Sequence, residues 1–247
     1  TTYKHWDAGH CQGNYIAQLH GLKFLENIVY RGGWTPEYEK SARTGFNQGL
    51  YTSGCVDMTV QGNSFYECSY AGLKIRGDAP VAPGAVKNVL VEDNLFAFNA
   101  NAIQAWGDPA TQDGLNIQGL TIRNNVVYGN GATIKGTMMD ASLRLGYCKD
   151  VVVEGNLLMN PVARQRPALS FMSWKPHENV TIRDTTLVGY VNGFENVGGI
   201  DAERPVIKTS DASLQFDPAM LEQAMGHWDA ELTAEAIGRR LRDSLRS

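Results

Sequence analysis

The stretch Leu120-Thr121-Ile122-Arg123-Asn124-Asn125 decides the fold, because near copies of it recur along the chain. In each copy apolar residues alternate with others, two polar or small residues follow, and the copy closes on Asn or, in the last case, on Thr. The closing residues are Asn27, Asn63, Asn94, Asn125, Asn156 and Thr185, at steps of 36, 31, 31, 31 and 29 residues. An internal period of two predicts that each copy is a β-strand.

Two further short strands accompany each copy. One follows the closing residue, with apolar pairs at residues 65–66, 96–97, 127–128, 158–159 and 187–188. The other precedes the copy and starts at Gly49, Gly72, Ala102, Ser142, Ala168 and Gly193. Three short strands per repeat with no helix between them predict an all-β parallel β-helix of about six coils. The repeated Asn is then expected to stack into a ladder along the coil axis, which is a structural role and not a catalytic one.

The ends of the chain differ from the repeats. We expect an N-terminal segment over 1–12, the parallel β-helix over 13–205 and a C-terminal helical cap over 206–247. Asp217-Pro218 is a helix start and Gly226 a helix stop, and a second helix is expected from about Ala230 to Leu245. These helices are expected to cover the open C-terminal end of the coil. No comparable cap precedes the first coil, so either upstream coils or a partner would cover that end.

Composition excludes several classes of function. The 247 residues carry a net charge of −4, with 43% hydrophobic and 19% charged residues, which excludes a mainly disordered chain. No apolar run is long enough to span a membrane, and no basic block favours a nucleic-acid partner. The four cysteines form no CxxC pair, so they predict no zinc site and are expected to be buried as small apolar residues. Because Thr1 is not a natural start, we expect that a leader or upstream region was removed, and a secreted or periplasmic location. The oligomeric state stays open.

The candidate site lies on the strands that start at Gly49 and its equivalents, because the longest loops flank them, at 78–88, 107–118, 129–141 and 160–167. Loops that rise on both sides of a flat strand face are expected to form a groove. Alternation predicts which side chains point outward on this face. One outward column is Tyr51, Lys74, Gln104, Arg144, Ser170 and Glu195, and a parallel one is Ser53, Arg76, Trp106, Gly146 and Met172.

These repeats resemble the right-handed parallel β-helix repeats of the pectin-lyase-like superfamily, over roughly residues 13–200. The resemblance implies that the loop-flanked face holds the substrate. It also implies a reaction among those of polysaccharide lyases, glycoside hydrolases and uronan epimerases, or the binding role of phage tailspikes. The sequence lacks the Asp-Pro-His-Asp motif of alginate epimerases, the catalytic aspartate set of polygalacturonases and the Arg-x-Pro-x-x-Arg pattern of pectate lyases.

A cationic and aromatic groove on an acidic chain favours an acidic polysaccharide as the partner. We therefore interpret the protein as a lyase of a uronic-acid polysaccharide, which needs a base, a neutralising cation and a proton donor. Lys74 is the candidate base, Arg76 or Arg144 the neutralising cation and Tyr51 the proton donor. Neighbouring cations favour the neutral amine that Lys74 needs for this role. The candidate substrate-binding residues are Gln104, Trp106, Arg164, Arg166, Trp174 and His177.

Two alternatives stay open. A glycoside hydrolase would use the groove-side carboxylates Asp78, Asp108 and Asp140. A non-catalytic glycan-binding module, such as part of a tailspike or adhesin, would need no catalytic group. His5, Asp7 and His10 form a weaker candidate for metal binding or acid–base work, but no third ligand is evident, so we predict no metal site. We predict no required cofactor, although calcium bound by aspartates of the groove stays open as an alternative.

Overall fold

The protein's computed structural model describes residues 3–5, 10–33, 47–77, 86–107, 115–130, 141–164, 167–171, 177–191, 193–195, 200–203, 205–208, 216–217, 219–227 and 229–245. Within these ranges three parallel sheets of seven strands each wind into a parallel β-helix, as the repeat predicts. Each turn of the coil contributes one strand to every sheet, so the strands of a sheet come from successive repeats.

The first sheet contains β3 (Asn14–Ala17), β6 (Gln48–Ser53), β9 (Ala71–Gly77), β12 (Asn101–Gly107), β15 (Leu143–Gly146), β18 (Leu169–Phe171) and β21 (Phe194–Glu195). The second sheet contains β4 (Lys23–Leu25), β7 (Val56–Gln61), β10 (Val86–Glu92), β13 (Ile117–Arg123), β16 (Cys148–Glu154), β19 (His177–Arg183) and β22 (Asp201–Ala202). The third sheet contains β5 (Ile28–Tyr30), β8 (Ser64–Tyr66), β11 (Leu95–Ala97), β14 (Val126–Tyr128), β17 (Leu157–Arg164), β20 (Thr186–Tyr190) and β23 (Val206–Lys208).

The coil is longer than the sequence predicts, with seven rungs in place of about six. The first rung includes β3, which lacks the small-apolar start of its later equivalents. The last rung includes the short strands β22 and β23. Strand β23 extends the coil to Lys208, three residues past the expected boundary at 205. Both are edge rungs, where fewer side chains need to be apolar.

The core fills the inside of the coil. In the first sheet Leu73 pairs in register with Ile103, and Ile103 with Leu143, and all three are almost fully buried. The alternate positions Lys74, Gln104 and Arg144 pair in the same way on the opposite face of the strands. The two-residue alternation read from the sequence therefore assigns inward and outward side chains of this sheet correctly.

A ladder of asparagines runs along the corner between the second and third sheets. Asn94 Nδ2 donates to Asn125 Oδ1 at 2.9 Å, and Asn125 Nδ2 donates to Asn156 Oδ1 at 3.0 Å. Each amide also caps a backbone carbonyl of the preceding rung, as Asn125 Nδ2 does with Val91 O at 2.9 Å. The same side-chain bonds join Asn27 to Asn63 and Asn63 to Asn94, so the predicted ladder is confirmed over five rungs.

The residue just before each ladder residue must adopt a backbone conformation that is uncommon for L-amino acids. The preceding residues all have a left-handed φ, which glycine adopts freely and Asn and Asp tolerate. They are Glu26, Gly62, Asp93, Asn124, Gly155 and Asp184, with φ between 50° and 67°. This requirement explains the small or polar residue that precedes the closing position in most repeats.

A second ladder, which our sequence analysis missed, lies at the corner after the third sheet. Cys68 N donates to Asn99 Oδ1 at 2.8 Å, and Asn99 N donates to Asn130 Oδ1 at 2.9 Å. The signal was present, since the steps between these residues are 31, the same as in the first ladder. Cys55, Cys68 and Cys148 are buried free thiols, in agreement with the expected apolar role.

The C-terminal helices lie along the side of the coil and not over its end. Helix α1 (Ala219–Gly226) is capped by Asp217, a 3-10 helix spans Ala230–Leu232, and α2 (Ala234–Ser244) is capped by Thr233. Their apolar side chains cover the outer face of the third sheet. The packed residues include Leu221, Ile237 and Leu241 from the helices and Leu95, Val126, Leu157 and Met159 from the sheet.

Hydrogen bonds fix α2 in this position. Arg242 donates from Nη1 to Gly155 O at 2.9 Å and from Nη2 to Asn124 O at 2.7 Å. Lys208 Nζ donates to Leu245 O at 2.8 Å. The edge strand β23 stays exposed at Val206 and Ile207, so these helices leave the last rung uncovered, in contrast to the expectation. The third sheet needed cover because its outer face is apolar, which the periodicity of single repeats did not reveal.

At the N-terminus β1 (Tyr3–His5) and β2 (His10–Gln12) form an antiparallel pair. His5 and His10 are paired in its backbone register, and Asp7 lies outside the described residues. In the described part of the chain no helix has the length and apolar character to cross a membrane.

Replacing Ile237 with alanine is expected to lower the free energy of unfolding by about 2–4 kcal/mol, because the side chain is buried between α2 and the third sheet. Denaturant unfolding followed by circular dichroism measures the change. Arg239→Ala, at an exposed position of the same helix, is the control and is expected to change stability by less than about 0.5 kcal/mol. Equal effects of the two substitutions would contradict the packing of α2 on the sheet.

Candidate functional site

The first sheet brings the predicted site residues into two neighbouring columns. Tyr51, Lys74, Gln104 and Arg144 pair in register on successive strands, and Arg76 pairs with Trp106 two positions further along. We call these six residues the cationic wall. The spacing of parallel strands puts Lys74 and Arg144, which are two rungs apart, at a backbone separation of roughly 10 Å.

The centre of the cationic wall is buried, although its side chains point away from the coil. The exposed fraction is 3% for Lys74, 0% for Gln104 and 7% for Arg144. The sequence predicts an open groove on this face, but the centre of the face is covered and its charged side chains are not solvated. Alternation along a strand tells which way a side chain points, but not what covers it. Arg76 and Trp106 are half-buried and remain the points at which solvent reaches the wall.

One indole ring lies close to two cations. Lys74 Nζ is 4.9 Å from the centroid of the Trp106 ring, and Arg144 Cζ is 5.9 Å from it. Lys74 Nζ is also 5.2 Å from the ring centroid of Tyr51. These cation–π contacts place both charged groups around the same ring. Two positive charges around one ring repel each other, and an anion bound between them would offset the repulsion.

Arg144 has an unused donor at this site. Its Nη1 is buried and has no hydrogen-bond partner among the residues that the structure describes. Burial lowers the pKa of the Arg144 guanidinium, and the nearby Tyr70 and Glu195 act in the opposite direction. A buried donor that is left unsatisfied costs about 1–3 kcal/mol, more when it is charged. A bound carboxylate would satisfy it with a charge-assisted hydrogen bond.

The other wall residues are held in place by polar contacts. Arg76 Nη1 donates to the hydroxyl oxygen of Tyr51 at 3.3 Å. Gln104 Nε2 donates to the hydroxyl oxygen of Tyr70 at 2.9 Å and to Asn101 Oδ1 at 3.1 Å. Tyr70 and Asn101 thus hold the Gln104 side chain in place, and neither was predicted from the sequence as a site residue.

The column of Lys74 continues to two exposed ends of different character. Toward the N-terminus Tyr15 pairs in register with Tyr51, and their ring centroids are 5.1 Å apart. Toward the C-terminus Ser170 pairs with Glu195, and Ser170 Oγ donates to Glu195 Oε2 at 3.1 Å. Tyr15 was not predicted as a site residue, because β3 is not recognisable as a strand from its sequence.

The remaining predicted residues do not join the wall in the described structure. His177 lies on the second sheet in register with the buried Cys148, and its ring is 5.0 Å from that of Phe171, an inward residue. That position faces the core and not the rim of the wall. Arg164 is on the third sheet, where it pairs with Tyr190 after a register shift. Arg166, Trp174, Met172 and the aspartates Asp78, Asp108 and Asp140 lie outside the described residues.

No metal site is evident in the described part of the chain, since no group of three or more His, Cys, Asp or Glu side chains is arranged to hold an ion. A cavity of about 280 Å³ lies beside α2. That cavity is lined by Asp93, Glu235 and Arg242, and burial, with Glu92 and Glu235 nearby, raises the pKa of Asp93.

Comparison with known proteins supports the architecture. A family model described as a right handed beta helix region matches residues 28–202. These residues contain β5 to β22 and the whole cationic wall. No curated protein and no solved structure matches the chain significantly.

Proposed function

This chain belongs to the right-handed β-helix family, whose members are often carbohydrate-active enzymes or carbohydrate binders, and from that premise we propose that it is a polysaccharide lyase. The substrate is a uronic-acid-containing polysaccharide, and the reaction is β-elimination. One observation carries the proposal: the buried Arg144 guanidinium, whose Nη1 has no hydrogen-bond partner among the described residues, and the Lys74 ammonium both lie near the Trp106 ring on one face of the coil.

The wall residues supply the three groups that the reaction needs. Arg144, with Arg76 nearer to solvent, binds and neutralises the carboxylate of a uronic acid, which makes the proton on the adjacent carbon easier to remove. Lys74, as the neutral amine, takes that proton. The electron pair forms the carbon–carbon double bond, and the glycosidic carbon–oxygen bond breaks. Tyr51 donates its phenolic proton to the leaving oxygen, while Arg76 stabilises the phenolate that results.

Binding precedes this chemistry and uses the neutral members of the wall. Trp106 offers an apolar surface to a sugar ring, and its partial exposure gives the substrate a way toward Lys74. Gln104 lies between Lys74 and Arg144 in register and fixes the spacing of the two cations. An acidic polysaccharide as partner and a secreted or periplasmic location belong to the same proposal.

Incubation of the protein with alginate, pectate and glycosaminoglycans tests the proposal. An unsaturated product that absorbs in the near ultraviolet is expected with at least one of them, and Arg144→Gln is expected to lower kcat/KM about 10²-fold or more. Arg239→Gln, at an exposed position of α2, is the control and is expected to keep activity. Absence of product from every uronan, with a folded sample, rejects the lyase. New reducing ends without unsaturation would point to hydrolysis instead.

A further inference from the structure

The Arg144 guanidinium is a buried charge whose Nη1 has no hydrogen-bond partner in the described part of the chain. Glu195 acts on it electrostatically, but that carboxylate is exposed and accepts a hydrogen bond from Ser170 Oγ. Buried charges in proteins are paired or hydrogen-bonded, and a buried donor without a protein partner is commonly explained by a bound water or ion. The charge of the guanidinium favours an anion over a water molecule at this place.

A second buried cation strengthens the attraction for an anion. Lys74 is 3% exposed, and its Nζ lies near the Trp106 ring that Arg144 also approaches. Two cations in a poorly solvated environment produce a strong positive potential, because little water screens them. The chain as a whole carries a net charge of −4, so this potential belongs to the cationic wall and is not general to the protein.

The chemistry of the cationic wall favours a small planar monoanion. A guanidinium presents parallel N–H groups that match the two oxygens of a carboxylate, whereas a halide offers one spherical acceptor. A dianion such as sulfate suits a buried site less well, because the cost of removing an ion from water rises steeply with its charge. Trp106 and Arg76 are half-buried, so a small ion has a route to the wall although its centre is covered.

We infer that the cationic wall binds one free monocarboxylate, of the class of formate and acetate, at the Arg144 guanidinium. The ion accepts the hydrogen bond of Nη1 and stabilises the folded chain without any sugar. The carboxylate of a uronic acid must displace it, so free monocarboxylates inhibit the enzyme by competition with the polysaccharide. Binding of the free ion is independent of the proposed function, whereas the competition rests on it.

Thermal unfolding of the full chain in sodium formate tests the binding. Formate is raised from about 1 mM to about 100 mM, while a bulky sulfonate buffer keeps the ionic strength constant so that screening does not change. The unfolding midpoint is expected to rise by about 3 °C or more, because a ligand that binds only the folded chain stabilises it by mass action. Sodium chloride over the same range is expected to give a smaller rise.

Two substitutions and a control locate the ion. In Arg144→Gln the rise with formate is expected to be less than about 1 °C, and Arg239→Gln, at an exposed position of α2, is expected to keep the native rise. Lys74→Met leaves the guanidinium in place and is expected to raise the Kd of formate about 3- to 10-fold in calorimetric titration. If Arg144→Gln does not fold, this titration decides, and an unchanged Kd overturns the inference.

The inference is also overturned by a native chain that shows no rise with formate, by an equal rise with chloride, or by a full rise in a folded Arg144→Gln variant. None of these results bears on the cleavage of a uronan, so the proposed function then stands or falls by its own assay. With a cleaved uronan, formate at about ten times its Kd is expected to raise KM about 10-fold and to leave kcat unchanged. An unchanged KM overturns the competition, whereas formate binding without cleavage of any uronan overturns the proposed function alone.

Discussion

Lys74→Arg is expected to lower kcat on a cleavable uronan by a factor of about 10²–10⁴ while it leaves substrate affinity nearly unchanged. Arginine keeps the positive charge that attracts the carboxylate, but it does not give up its proton near neutral pH and cannot act as the base. Lys74→Met removes the charge as well, so it is expected to lose both kcat and affinity. Steady-state kinetics, together with titration of a slowly cleaved oligosaccharide, separates these effects.

The matched control for Lys74 is Lys87→Met, because Lys87 is an exposed lysine at the start of β10 on the second sheet. It is expected to keep native kcat and KM. Retention of most of the native kcat in Lys74→Arg would contradict the role of Lys74 as base. The same fall in Lys74→Arg and Lys87→Met would show that the effect does not come from the cationic wall.

Asn125→Leu is expected to lower the free energy of unfolding by about 3–5 kcal/mol. The Asn125 side chain is fully buried, donates to Asn156 Oδ1 and to the carbonyls of Val91 and Arg123, and accepts from Asn94. Leucine fills the volume but leaves these buried partners unsatisfied, and each costs about 1–3 kcal/mol before relaxation. Thermal and denaturant unfolding measure the loss.

Asn14→Ala is the control for the ladder. Asn14 is exposed on the first rung, and its side chain donates a single hydrogen bond, to Gly49 O at 3.1 Å. Its replacement is expected to cost no more than about 1 kcal/mol. If Asn125→Leu also lowered the free energy of unfolding by no more than about 1 kcal/mol, the ladder would not stabilise the fold.

The fold was predictable because the sequence shows two periods, the two-residue alternation within each strand and the repeat of about 31 residues from coil to coil. The two-residue alternation assigns Leu73 to the core and Lys74 to the outer face. The repeat of the strands along the chain puts Lys74, Gln104 and Arg144 at equivalent positions of successive coils. Both follow from the pleat of a strand and from in-register stacking, which are local rules.

The environment of the site was less predictable, because it depends on contacts between distant parts of the chain. No local pattern indicates that Lys74 and Arg144 are covered or that both approach the ring of Trp106. The side-on packing of α2 likewise depends on the apolar outer face of the third sheet, which is formed only when several rungs stack. The edge strand β3 was missed because an edge rung needs few apolar residues.

The central claim is that Arg144 seats the carboxylate of an acidic sugar on the cationic wall. A crystal structure of the Lys74→Arg variant with an acidic oligosaccharide tests it most directly. We predict a carboxylate oxygen within about 3.2 Å of Arg144 Nη1, with the same sugar in contact with the Trp106 ring. An oligosaccharide bound elsewhere, for example in the cavity beside α2, with Arg144 Nη1 turned to a protein acceptor, would contradict it.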